Sequence, residues 1–258
     1  MAAARCGEGV LRRGGSLGTA LLREDWPGAE PGYRGNQTTP TETLETIARF
    51  CASEGWSLGV HVVGGAAIDL VLDVFARLDQ ETPIRDLRFS LIHAYLWPSA
   101  DNIALASRLG VIVVTQPPMQ WKFGPGLARR FGVERIGDAT PVRAWLDAGV
   151  LVAGSSDGPG IPLAPLFGMW QARTRRIEGS DEPVGGHQSV TAEEAIRLYT
   201  TSASVASFAD GDRGMLRPGF LADLAAVSVD PLTSEPDALL DAEVVATVVG
   251  GETVHGEL

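Results

Sequence analysis

Cysteine is nearly absent. The 258 residues carry two, Cys6 and Cys51, which form neither a metal-type pair nor a disulfide framework. Two free thiols fit a reducing compartment, so a cytoplasmic location is expected. No apolar run reaches the about 18 residues that a membrane span needs. Residues 1–15, MAAARCGEGVLRRGG, lack the apolar core of a secretory signal. A Lys/Arg-rich run is missing as well, and the formal net charge is −11. Nucleic acids and anionic membranes reward a basic patch, so neither is expected as a partner.

What remains is an ordinary soluble composition, 45% hydrophobic and 21% charged. The length suits one large domain or a domain with an appendage. Residues 1–38 are rich in Gly, with Pro27 and Pro31, and read as loop; only Ser16 to Leu22 has room for a short strand or turn. Thr39-Pro40-Thr41-Glu42 reads as a helix start, with Thr39 as N-cap. From there strands and helices alternate. Residues 57–63, 88–93, 111–114 and 149–154 read as four buried strands; one helical stretch precedes them and ends at Gly55. Others lie between them, with Ile68, Val71, Leu72 and Phe75 on one face of the first and ends at Gly110 and Ala148 in the later two. That alternation, from residue 57 to 177, argues for parallel βα units, and residues 39–210 are expected to form a partial barrel. Thr115 to Gly137 reads as a long loop with bulky residues, of the kind that is functional or mobile. Leu163 to Ile177 reads as a helix whose basic end suits its dipole, and Thr191 to Glu194 as a second capping box. Residues 211–258 change character to short strands separated by Pro231, Pro236 and Gly250-Gly251.

The chemistry-bearing residues sit at strand ends. The run Val150 to Ala153 leads into Gly154-Ser155-Ser156-Asp157-Gly158-Pro159, and an acid after a buried strand is where an α/β barrel keeps its catalytic groups. His61 shares a strand face with Ser57 and Gly59, whereas Leu58, Val60 and Val62 point the other way. Small and polar residues beside His61 suit a lumen-facing side chain. His93 shares its face with Leu91 and Phe89, so alternation assigns it no direction. A neutral imidazole is the commonest metal ligand and a carboxylate its usual companion. His61, His93 and Asp157 are therefore the candidate metal set, though an Asp in such a turn also serves as a cap. His187 lies in a loop and His255 near the end, and neither is assigned a role.

His61-Val62-Val63-Gly64, Leu91-Ile92-His93-Ala94, Gln116-Pro117, Gly154 to Pro159 and Gly214 to Leu224 occur in that order. As a set, from about Gly15-Ser16-Leu17-Gly18 onward, they resemble the amidohydrolase superfamily. The similarity is to its third amidohydrolase family, which includes N-substituted formamide deformylases. The resemblance implies the C-terminal half, about strands 5–8, of a metal-dependent hydrolase barrel, with a few strands of a small composite β domain. It puts His61 and His93 on barrel strands five and six and Asp157 after strand eight. It implies a divalent metal, zinc by preference, and an amide-type small-molecule substrate. Asp157 would take the proton of the attacking water. The family's strand-one His-x-His pair has no counterpart in this chain. Its lysine aligns with Val10, the Asp after the His-x-x-Gly turn with Gly65, and the Glu before the strand-six histidine with Ile92.

Three functions follow from this reading. The first is hydrolysis of a non-peptide C–N bond. The second is an inactive remnant or subunit that keeps the half-barrel, and the third is a small-molecule binding module. An open half-barrel exposes two sheet edges, so self-association or pairing with a missing N-terminal half is expected.

Overall fold

The computed structural model describes residues 4–5 and 18–257; Cys6, Val10 and the Gly15–Leu17 part of the turn motif lie outside them. Five parallel strands form the main sheet in chain order: β1 (Ala4–Arg5), β2 (Leu58–Gly64), β3 (Ser90–Leu96), β4 (Ile112–Thr115) and β5 (Val152–Gly154). β2 to β5 are the four strands expected from the sequence. Parallel neighbours need crossovers. These are α2 (Gly65–Glu81) between β2 and β3, and α3 (Ala100–Leu109) between β3 and β4. Between β4 and β5 lie α4 (Pro117–Phe131), α5 (Val133–Ile136) and α6 (Val142–Asp147), and α1 (Thr41–Ser53) precedes β2.

Register explains which face is core. Val60, Leu91, Val113 and Val152 lie in one row across β2 to β5. All four join Ile68, Leu72, Phe75, Phe89 and Trp145 in the larger apolar cluster, on the helix-covered face. The Phe75 and Phe89 rings meet edge-on at 5.1 Å. The next row, His61, Ile92, Val114 and Ala153, faces the other way, toward the barrel interior.

Several boundaries differ from the expected ones. α1 begins at Thr41 with Pro40 at the N-cap and no side-chain cap; the Gln37 amide bonds Thr39 O and Thr41 Oγ1 instead. The expected loop of 115–137 is mostly helix. Pro117 and Pro118 open α4, where a missing N–H costs nothing, and Gly132 closes it. Gln120 and Leu127 on α4 are buried. Residues 18–36 are not merely loop: Ala20, Leu22 and Trp26 are buried in a second apolar cluster with Val63, Tyr95, Met119 and Ile161.

α7 (Pro165–Thr174) ends one residue before the basic stretch turns away. Arg175 has φ 57 and is buried. Rather than serving the helix dipole, it donates to the carbonyls of Gly137, Ala139 and Thr140, and burial lowers its pKa to about 10. α8 (Ala192–Tyr199) opens with the expected capping box of Thr191 and Glu194, and α9 (Thr201–Ala206) follows. The last three strands form a separate antiparallel sheet: β6 (Leu224–Val227), β7 (Val244–Val249) and β8 (Glu252–Gly256), with β7 in the middle. Asp237 ties this region back to α7 by accepting from Trp170 Nε1 at 3.0 Å and pairing with Arg176.

Candidate functional site

The carboxyl ends of β2 to β5 converge on one spot, where such sheets place their ligands. His61 lies near the end of β2 on the interior face, as alternation predicts. His93 reaches the same spot by a different route. Its register partner is Val62, which packs among the helices, so a regular strand would point His93 outward. Instead the pairing slips between Val62 and Gly64, with one extra residue on β3. His93 and Ala94 take left-handed backbone, φ 74 and 46. A bulge of this kind re-aims a side chain beside a functional site. Trp97, Thr140 and Asp157 also carry positive φ, at 56, 48 and 58. Non-glycine residues pay about 1–3 kcal/mol for such conformations, which cluster at active sites.

The two histidines meet. His93 Nε2 lies 3.0 Å from His61 Nδ1, with the rings edge-on at 4.3 Å between centroids. His93 Nδ1 donates to Gln116 Oε1 at 2.5 Å. Burial lowers both imidazole pKa values. His61 falls to about 3, with His93 beside it adding to the effect. His93 is lowered by burial against the opposing pull of the Asp157 charge and the Gln116 hydrogen bond. Both rings are therefore neutral at neutral pH, the form that binds metal.

In the metal-free protein this contact is a hydrogen bond, so one of the two nitrogens carries a proton; with that proton released, nitrogens at this separation would suit adjacent ligands of one divalent ion. Bonds of about 2.0–2.1 Å at a tetrahedral angle set ligand nitrogens roughly 3.3 Å apart. The pair fits a metal, but as part of a centre. Catalytic zinc sites use three protein ligands, as a rule. Among the described residues no three His, Cys, Asp or Glu side chains gather as a ligand set. Asp157 is exposed on the turn after β5 and does not join His61 and His93 in such a set. It is still close enough for its charge to act on the His93 ring and on the Tyr95 phenol.

Sequence reasoning missed three residues here. Gln116 and Ser155 lie on the interior side of their strand ends, and Gln116 Nε2 donates to Ser155 Oγ at 2.9 Å. Counting by twos from Ile112 through Val114 puts Gln116 on the interior face, a direction that the Gln116-Pro117 motif alone does not give. Tyr95 is 1% exposed and its hydroxyl has no partner. His187 Nε2 pairs with Asp138 at an exposed position, 2.7 Å apart, and His255 bonds Val244 O. Both lie outside the site.

The amidohydrolase family model matches residues 6–255. The Bacillus subtilis (strain 168) protein YtcJ is 29% identical over 245 residues, 93% of this chain and 45% of the relative. The N-substituted formamide deformylase of Arthrobacter pascens is 31% identical over 210 residues, 81% of this chain and 38% of that one. A crystal structure of an uncharacterized metal-dependent hydrolase from Pyrococcus horikoshii OT3 superposes with a TM-score of 0.72 at 24% identity, covering 87% of this chain and 44% of that one. The chain thus spans less than half the length of these relatives. With the partial parallel barrel, the ordered strand-end motifs and a family match over almost its whole length, the chain belongs to the amidohydrolase family.

Proposed function

We propose that this chain carries the strand-five-to-eight half of a metal-dependent hydrolase that cleaves a non-peptide C–N bond, in an amide-type small molecule. The observation that supports it most is the neutral pair of His61 Nδ1 and His93 Nε2, 3.0 Å apart at the strand ends. His61 and His93 would hold a divalent ion, with zinc favoured by the nitrogen donors. That ion, when bound, acidifies a water and polarises the scissile carbonyl. Asp157 accepts the water's proton on a carboxylate oxygen and passes it to the leaving nitrogen. Its exposure on the turn after β5 supports this role, since the carboxylate is open to solvent. A cytoplasmic location is part of the same proposal.

A second reading is favoured by one observation. The described residues gather two ligands and no third. By itself the chain then acts as a half-centre, and turnover needs a complementary polypeptide. Metal analysis of the purified chain, with an N-formyl and N-acyl amine panel, tests both. Bound zinc with turnover supports the full reading. Zinc binding without turnover supports the half-centre. No zinc binding at neutral pH would sink both. Asp157→Asn keeps a residue type that tolerates φ 58. In any active form it lowers kcat by about 10²–10⁴-fold.

A further inference from the structure

We propose that Gln116 is a positioning residue: held by Val114 and Ser155, its amide sets the His93 tautomer that leaves Nε2 bare toward His61. The inference rests on the metal-site reading only for its purpose. The hydrogen-bond accounting stands independently.

The accounting is closed. Gln116 is 3% exposed, so its amide must find partners within the protein. Its Nε2 lies 2.9 Å from Ser155 Oγ and 3.3 Å from Val114 O. A backbone carbonyl only accepts, so the NH2 group faces Val114 and Ser155. Oε1 then faces His93 Nδ1 at 2.5 Å. An amide oxygen only accepts, so His93 Nδ1 carries the proton. In a neutral ring Nε2 is then a lone pair, and it points at His61 Nδ1.

The alternative tautomer would place a proton on His93 Nε2 itself, the nitrogen that would serve as ligand. With that nitrogen bare, the proton of the 3.0 Å contact belongs to His61 Nδ1, whose ring keeps its other nitrogen without a partner. The sequence thus sets up the ligand by a relay that runs from β5 to β4 to β3, one polar residue at each strand end. Tyr199 adds an outer brace. Its ring lies against Gly154 on the helix-covered side, with its hydroxyl 3.4 Å from Ser155 O. A histidine ligand's second nitrogen commonly faces a carboxylate or a backbone carbonyl. Here it faces a neutral amide, whose direction depends on what holds its other end. Ser155 therefore acts on His93 through Gln116.

Gln116→Met keeps the length and removes the acceptor. Gln116→Glu keeps an acceptor at the same place. Nitrogen-15 NMR of the metal-free protein at neutral pH, with chelator present, reads the two His93 nitrogens directly. Wild type and Gln116→Glu are expected to show a protonated Nδ1 and a bare Nε2. Gln116→Met is expected to move the proton to Nε2, where it donates to His61 Nδ1. Ser155→Ala is expected to mix the two forms. In parallel, zinc affinity is expected to fall about 10–100-fold in Gln116→Met and to be kept in Gln116→Glu.

A bare Nδ1 in wild type overturns the proposal. So does an unchanged His93 tautomer in a folded Gln116→Met protein. If Gln116→Met does not fold, an unmixed tautomer in Ser155→Ala together with a bare Nδ1 in Gln116→Glu overturns it instead. If the tautomer moves as stated but no variant, nor wild type, binds zinc, the relay stands and the hydrolase reading fails.

Discussion

Acid should loosen this fold through His61. The ordinary histidine pKa of 6.5 falls to about 3 in the folded protein, by burial first and then by His93. Below pH 6.5 the unfolded chain takes up a proton that the folded chain refuses. The contribution of the neutral ring is fully present above pH 6.5 and is lost as pH falls toward 3. The slope is about 1.4 kcal/mol per pH unit. Between pH 7.5 and 5 that sums to about 2 kcal/mol, or about 1–2 kcal/mol allowing for the solvent that reaches the half-buried ring. The assay is urea unfolding of the metal-free protein with chelator, wild type beside His61→Asn, at pH 7.5, 6 and 5. Groups remote from the pair titrate alike in both proteins and drop out of the difference; His93, which touches His61, does not, so His61→Asn is also compared in a His93→Asn background. The stability advantage of wild type over His61→Asn should shrink by that amount across the range. A difference that stays flat would falsify the claim that the site holds His61 neutral.

Other perturbations follow from particular contacts. Arg175→Leu strands three carbonyl acceptors, on Gly137, Ala139 and Thr140, and should cost about 3–5 kcal/mol in chemical denaturation; a loss under about 1 kcal/mol would refute the bracing role. Gly168→Ala would place a methyl 1.9 Å from the Tyr199 hydroxyl oxygen. It should destabilise by about 1–3 kcal/mol, and adding Tyr199→Phe should recover part of that; strict additivity in the cycle would count against the clash. Thr191→Ala removes the α8 cap and should lower stability by about 1 kcal/mol, visible as a shifted denaturation midpoint with an unchanged slope.

Legibility tracked how local each signal was. The capping box of Thr191 and Glu194 lies within four residues and was readable as such. His61 was readable because Ser57 and Gly59 share its face and the apolar residues take the other. His93 was not. Its direction depends on an irregularity against β2, which alternation along β3 cannot show. The α4 helix was hidden by its own composition. Pro117, Pro118, Gly124, Pro125 and Gly126 all read as breakers, yet the first two sit where a helix tolerates them. Trp26 and Leu22 lie in a glycine-rich stretch, and only the tertiary fold shows what covers them. Gln116 was seen as part of a motif but given no task, because its task involves partners on two other strands.

The extra residue in β3 has a consequence for how this site is gained or lost. No exchange of one side chain for another turns a regular strand into this one; a codon must be inserted. The reverse change is a single-codon deletion. Removing Ala94 would restore even pairing with β2 and leave the outer row of Leu91, Val113 and Val152 in place. It would also turn the imidazole of His93 toward the helices. The direction of the His93 ring and the packing of the sheet are thus encoded separately, one in a length and the other in a pattern.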